Sequence, residues 1–244
     1  MNNKNIDNLD ELIKEISALI KNPNNLYRGY KNDKELLPNI MRSCSTDYKS
    51  EAKKIIEEFI DRCKPFYSAT NVMDVLACAQ HYGLKTQLLD FSSNPYVALY
   101  FSIFHTRKTD ETYRIIYFDK NDAKKIEIDS VISASGETLM IKQFDFKAQY
   151  EGIINQLKED KLNYCQPTYS NTRLLMQQGS FVIVNQANEE ILKEILDKNA
   201  STITIGDSIR EEAIKYLRAI GIDGFHLMPD LSGICYAINN HEFE

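Results

Sequence analysis

Leu88-Leu89-Asp90-Phe91-Ser92-Ser93-Asn94-Pro95-Tyr96-Val97-Ala98-Leu99-Tyr100-Phe101 changes period in its middle. Thr86 to Asp90 reads as extended chain. Ser93 or Asn94 can then cap a helix whose first position is Pro95, where a missing N–H costs nothing. Tyr96 to Phe104 supplies its apolar body. A strand thus feeds directly into an apolar helix, with Asp90, Ser92, Ser93 and Asn94 at the junction.

Upstream, Asn71 can cap a helix that runs to Tyr82, and Gly83 stands where a left-handed residue would end it. Ser50 to Phe66 has helical spacing through Ile55, Ile56, Phe59, Ile60 and Cys63. Leu26-Tyr27-Arg28-Gly29-Tyr30 suits a strand. Ile6 to Ile20 is an amphipathic helix ended near Asn22-Pro23. Downstream, strands are expected at Thr112 to Phe118, Lys125 to Ile128, Thr138 to Lys142 and Gly179 to Val184. Residues 189–197 and 207–220 read as helices flanking a strand at Thr202 to Ile205. Leu227 to Gly233 reads as a turn into a last strand, and residues 144–172 give no firm signal. The class is α+β: an N-terminal helix over residues 1–25 and one domain over residues 26–244.

The 244 residues are 43% hydrophobic and 26% charged, enough apolar content for a sizeable core. Lys and Arg number 29 against 35 Asp and Glu, a net charge of −6 that argues against general attraction to polyanions or anionic lipid. A local stripe including Arg28, Arg42, Lys85 and Arg173 could still guide a nucleic acid. The aromatic residues are 14 Tyr and 11 Phe, with no Trp. No apolar stretch reaches the roughly 20 residues of a membrane helix, and the N-terminus lacks a signal peptide's basic and apolar regions. A cytoplasmic protein is expected. The scattered Cys44, Cys63, Cys78, Cys165 and Cys235 show no metal-ligand spacing and read as reduced packing residues; no metal site is expected.

Polar groups gather at three junctions: Gln80 and His81 at a helix C-terminus, Asp90 and Ser92 at a strand end, Ser93 and Asn94 at a helix N-terminus. Such an N-terminus suits a phosphate or a carboxylate, or Asp90 and Ser93 simply cap it. His81 with Asp90 could form a base and its orienting carboxylate, or His81 could make a structural hydrogen bond. Nothing marks Cys78 as an activated thiol, and His105 is expected to cap the C-terminus of the apolar helix. Arg28, in an otherwise apolar strand, is costly unless an anion meets it: a ligand, or Asp90 or Glu35.

Tyr27-Arg28-Gly29, Glu35 to Arg42, the 79–101 block, Arg173-Leu174-Leu175-Met176-Gln177-Gln178-Gly179-Ser180-Phe181, Leu217 to Gly221 and Leu227 to Gly233 follow one another in the order of a known family. The sequence resembles the FRG domain, named for a Phe-Arg-Gly tripeptide. It departs at Gln87, where the family usually has Arg, and at Phe91, where it usually has Trp.

The order of parts also looks like the ADP-ribosyltransferase layout, which implies a central, mostly antiparallel, split sheet with flanking helices. That resemblance implies NAD as substrate and no metal. Arg28, His81, Asp90 and Gln178 would form the catalytic set. Arg28, Tyr82, Ser92, Ser93, Asn94 and Tyr100 would hold NAD, with Arg28 on the pyrophosphate, a serine on the ribose and Tyr82 or Tyr100 on the nicotinamide. Cleavage of the nicotinamide–ribose bond develops positive charge, which calls for a carboxylate. Gln178 occupies the position where that layout has Glu, so Asp90 or Glu151 would substitute, or the domain would bind a nucleotide or a partner without turnover. The acceptor would be protein, nucleic acid or water, in a toxin or antiphage-defence setting.

Overall fold

The computed structural model of the chain describes residues 3–31, 33–43, 47–63, 69, 71–104, 112–128, 145–168 and 171–239. In chain order the first elements are β1 (Asn3–Ile6), α1 (Leu9–Leu19), β2 (Asn25–Tyr30), a 3-10 turn (Asp33–Leu36), α2 (Asn39–Ser43), α3 (Tyr48–Cys63) and α4 (Val72–His81). The middle holds β3 (Leu88–Ser92), α5 (Pro95–Ile103), β4 (Tyr113–Asp119), β5 (Lys124–Lys125), α6 (Phe146–Gln156) and β6 (Asn163–Cys165). The last third holds α7 (Thr172–Met176), β7 (Gly179–Ile183), α8 (Glu189–Asn199), β8 (Ser201–Ile205), α9 (Arg210–Ala219), α10 (Gly224–Leu227) and α11 (Leu231–Asn239).

The strands form one mixed sheet in the order β1-β8-β4-β2-β3-β7-β6-β5. The two outermost pairings, β1 with β8 and β5 with β6, are parallel, and the rest are antiparallel. The centre is narrow. β2 pairs with β4 from Asn25 to Tyr30 and β3 with β7 from Leu88 to Ser92, yet β2 meets β3 only at Tyr27 and Ser92. In place of the expected split sheet, the eight strands form one sheet, narrowed at its middle to a single residue pair.

Side chains alternate between the two faces along each strand. Leu26 and Tyr30 of β2, Leu89 and Phe91 of β3, and Ile116 and Phe118 of β4 share one core with Leu192 and Leu196 of α8. The opposite face carries two cores. Leu12 and Ile16 of α1, Leu99 and Ile103 of α5 and Leu217 of α9 pack over Tyr113, Ile115, Ile203 and Ile205. Ile56 of α3, Met73 and Leu76 of α4 and Ile153 of α6 pack over Leu88, Phe181 and Ile183. The line where β2 meets β3 runs between these two cores.

Local signals explain the elements beside that line. Asn94 accepts the Tyr96 N–H at 2.9 Å, and Pro95 follows it at the start of α5. Asn71 accepts the Asp74 N–H at 3.0 Å and starts α4, and Gly83, at φ 87°, follows its end in the left-handed region.

Several expectations are corrected. Asn3–Ile6 is a strand rather than the start of the first helix, and Asn8 caps α1 by accepting from Glu11. Residues 1–25 thus contribute an edge strand to the sheet as well as a helix. Leu227 to Gly233 leads into no last strand: Asp223 caps α10, and Asp230 accepts the Gly233 N–H at 2.8 Å in the first turn of α11. The expected strand at Lys125 to Ile128 contracts to Lys124–Lys125, and the unassigned 144–172 stretch contains α6 and β6. The expected strand at Thr138 to Lys142, His105 and Cys44 lie outside the described residues. Among the described residues no helix is long and apolar enough to cross a membrane.

Candidate functional site

Tyr27, Arg28 and Gly29 each do something different at the narrow centre of the sheet. Tyr27 is buried, and its hydroxyl donates to the Leu19 carbonyl at 3.0 Å, tying β2 to the end of α1. Gly29 lets α5 approach: a Cβ there would lie 2.0 Å from the Ala98 carbonyl oxygen. Arg28, one residue past the Tyr27–Ser92 pair, sends its side chain across the opening between the strands. Its Nη1 donates to the Asp90 carbonyl at 2.7 Å and its Nη2 to the Glu35 carbonyl at 2.9 Å. Its Nε is buried without a hydrogen-bond partner. Burial pulls the Arg28 pKa below the usual arginine value, against the opposing charge of Asp90, while Arg42 adds to the depression and Glu35 opposes it. Arginine ordinarily titrates so far above neutrality that the group stays charged.

The opening is a cleft of about 370 Å³. Arg28, Lys31, Glu35, Arg42, Asp90, Ser92, Arg173 and Gln177 supply its polar lining, and Tyr27, Phe91 and Phe101 an aromatic one. Arg42, at the end of α2, spends only its Nε, on the Leu37 carbonyl at 2.8 Å. The Arg173 guanidinium, on α7, meets no hydrogen-bond partner among the described residues. The acidic chain therefore holds three guanidinium groups at one opening, a local field of opposite sign to its net charge.

Asp90 stands opposite. The Gln80 amide donates to its Oδ1 at 2.7 Å, and Thr86 in turn donates to the Gln80 carbonyl oxygen at 2.6 Å. Water reaches Asp90 through the cleft, but protein surrounds it on most sides, so desolvation pushes its carboxyl above the usual range. Arg28, Arg173 and the Gln80 hydrogen bond pull the other way. A smaller recess of about 140 Å³ shares Asp90, Arg173 and Gln177 with the cleft and is lined by His81.

The structure thus brings Arg28, Asp90 and Ser92 onto one cleft and His81 onto the adjoining recess. His81 is exposed with its ring against Tyr82, and the Asp90 carboxylate is held by Gln80 instead. The Ser92 hydroxyl donates to the Gln177 carbonyl at 2.7 Å and accepts the Asn94 N–H at 2.9 Å, so it fastens the turn before α5. Asn94 is occupied as a cap, and Ser93 lies 3.4 Å from the Gln178 side-chain oxygen. Tyr82 is 79% exposed and Tyr100 1% exposed, the latter stacked on Phe104 inside the core; neither lines the cleft. Gln178 occupies the turn before β7 at φ 47°, exposed, and it is Gln177 that lines the cleft. Glu151 pairs with Lys53 at 2.8 Å on the outer surface of α6.

Lys31, Phe101 and Gln177 are lining residues that sequence reasoning missed. Phe101 follows the apolar pattern of a core helix, and Gln177 differs by one position from the residue the layout singles out. Lys85 of the basic stripe does not line the cleft. Burial raises the pKa of Cys78, which favours the protonated thiol over a nucleophilic thiolate. Among the described residues no group of His, Cys, Asp and Glu is arranged to hold a metal ion.

Residues 23–111 match the FRG domain family model. The match takes in Arg28, Arg42, His81 and Asp90; Arg173 and Gln177 come from the chain that follows it. No curated protein and no solved structure matches the chain. The two departures from the family pattern have distinct settings. Gln87 is buried away from the cleft, donating to the Val184 carbonyl at 3.0 Å and accepting from the Tyr150 hydroxyl at 2.8 Å. Phe91 lines the cleft and meets Phe118 edge-on, with ring centroids 5.3 Å apart.

Proposed function

We propose that the cleft binds NAD through its pyrophosphate and that the protein cleaves the nicotinamide–ribose bond, as an ADP-ribosyltransferase or NAD glycohydrolase. The observation that carries this reading is the half-buried Arg28 guanidinium, its enclosed Nε without a partner, flanked by Arg42 and Arg173 and opposed by Asp90 in one opening. Guanidinium groups match pyrophosphate oxygens in geometry and charge. The cleft volume, about 370 Å³, falls within the roughly 300–1,000 Å³ usual for ligand pockets. Phe101, rather than Tyr82 or Tyr100, offers the ring on which nicotinamide would stack.

As the bond breaks, its electron pair leaves with nicotinamide and positive charge develops on the ribose. The Asp90 carboxylate stabilises that charge. An acceptor hydroxyl or amine, or water, then forms the new bond to the ribose carbon and gives up its proton to Asp90 or solvent. A cytoplasmic effector acting as a toxin or in antiphage defence fits this activity, and that part of the reading rests on the family resemblance.

A second reading, nucleotide or partner binding without turnover, is favoured by one pair of observations. The Asp90 carboxyl is biased toward its neutral form, and Gln178, which bears no charge, stands outside the cleft lining. Calorimetry with NAD and an assay of nicotinamide release, each with Arg28→Ala and Asp90→Ala, separate the two. Release that both substitutions abolish supports the enzyme; binding without release supports the silent domain. Neither binding nor release, with protein and nucleic-acid acceptors added, overturns both nucleotide readings.

A further inference from the structure

A second cavity, of about 290 Å³, lies on the α8 side of the sheet. Its apolar walls are Leu192 and Leu196 of α8 on one side, Leu36 and Leu37 at the end of the 3-10 turn on another, and the Tyr30 ring. Its floor on the sheet is polar, with Thr202 and Thr204 of β8 beside Arg114 of β4, which is the one charged group there among the described residues and lies over the Tyr30 ring at 5.7 Å from the centroid. Arg114 is partly buried and spends Nη1 on the Lys31 carbonyl at 2.8 Å; its other N–H groups meet no partner among the described residues. A guanidinium held in place by a carbonyl and a ring, with donors to spare, is preorganised for an anion.

The mouth narrows the choice of anion. Glu189, Lys193 and Asp197 of α8 line it and are exposed, which sets two negative charges there against one positive. A head of several negative charges, such as a nucleotide's phosphates, meets repulsion at that rim, whereas a single carboxylate is drawn past it to Arg114. The leucine walls call for an apolar body behind that head.

We propose that this cavity binds a small monocarboxylate with an apolar body, its head on Arg114 and its body between the leucines of α8 and those at Leu36 and Leu37. The ligand is a different chemical class from the one assigned to the cleft, and the proposal holds whether or not the cleft takes NAD.

Octanoate is a suitable probe, with 1-octanol as its uncharged counterpart, titrated calorimetrically into the full chain. Octanoate binds once per chain and 1-octanol about tenfold or more weakly, since only the former makes a charge-assisted bond. Arg114→Gln brings octanoate down to the level of octanol. Lys193→Glu, an exposed change with little effect on folding, weakens octanoate severalfold by adding a third negative charge at the mouth. Equal binding of octanoate and octanol overturns the proposal, as does no binding of octanoate at millimolar concentration. Octanoate affinity that is indifferent to both substitutions overturns it too.

Discussion

Arg28 Nη1 and the carbonyl oxygen of Asp90 lie 2.7 Å apart across the place where β2 and β3 part. In a complete ladder, backbone N–H groups of the neighbouring strand would serve such a carbonyl. Here a side chain replaces backbone, which leaves room for a cleft while keeping the strand edge satisfied.

Replacing Arg28 therefore disturbs structure as well as ligand binding. Arg28→Ala leaves the Asp90 and Glu35 carbonyls without their donor, a loss of about 1–3 kcal/mol for each that stays enclosed. Arg28→Lys keeps the charge but cannot span both carbonyls with one fork. Urea denaturation should place Lys between wild type and Ala, and calorimetry should find nucleotide binding lost in both. An Arg28→Lys protein that binds NAD as tightly as wild type would remove the fork from the argument.

Asp90 gives the cleft a pH dependence whose sign follows from its raised pKa. The folded protein holds this proton more tightly than the unfolded chain does. Asp90 thus adds stability below the ordinary carboxylate range, and that contribution falls away as pH rises through its own higher value. Cleavage that needs the ionised carboxylate rises over the same window. Asp90→Asn should be at least as stable as wild type at neutral pH, with the thermal midpoint less pH-dependent across that window, and with nicotinamide release lost. A midpoint that falls at neutral pH on this substitution contradicts the assignment.

Gly29→Ala tests the close approach of β2 and α5. The new methyl group would lie 2.0 Å from the Ala98 carbonyl oxygen and 2.6 Å from the Ser102 nitrogen, both backbone atoms that yield only if the helix moves. The expected loss is about 1–3 kcal/mol or more, read from the denaturation midpoint. An unchanged midpoint would mean that α5 sits farther from the sheet.

Gln178→Gly relieves a left-handed backbone position outside the cleft lining. Stability should rise by up to about 1 kcal/mol while NAD affinity stays as it was. A large loss of affinity or of nicotinamide release would return Gln178 to the reacting centre.

What the chain disclosed before folding was chiefly local. Asn71, Gly83, Asn94 and Pro95 act over three or four residues, so α4 and α5 are readable with their ends. The polar Asn3-Lys4-Asn5-Ile6 becomes a strand through pairing with Thr202 to Ile205, at the far end of the chain, and no local pattern carries that. Leu231 to Asn239 mixes Ile, Cys and Tyr in a way that suits a strand, and Asp230 at its start tips it into a helix. The cleft divides along the same line. Arg28 and Asp90 advertise themselves as charges beside apolar strands, whereas Tyr100 and Phe101 are neighbours on one helix. Only the helix's rotation against β2 buries the first and turns the second to the opening.

The single Tyr27–Ser92 pairing gives the sheet a mechanical weak line. Between β2 and β3 the ladder comes down to one rung and one guanidinium, while β4 with β2 and β7 with β3 are joined over several rungs. Phe91 and Phe118 nevertheless meet edge-on across that line, and Leu26, Leu89 and Leu192 share one core over it, so the cohesion that the missing rungs would supply falls to side chains.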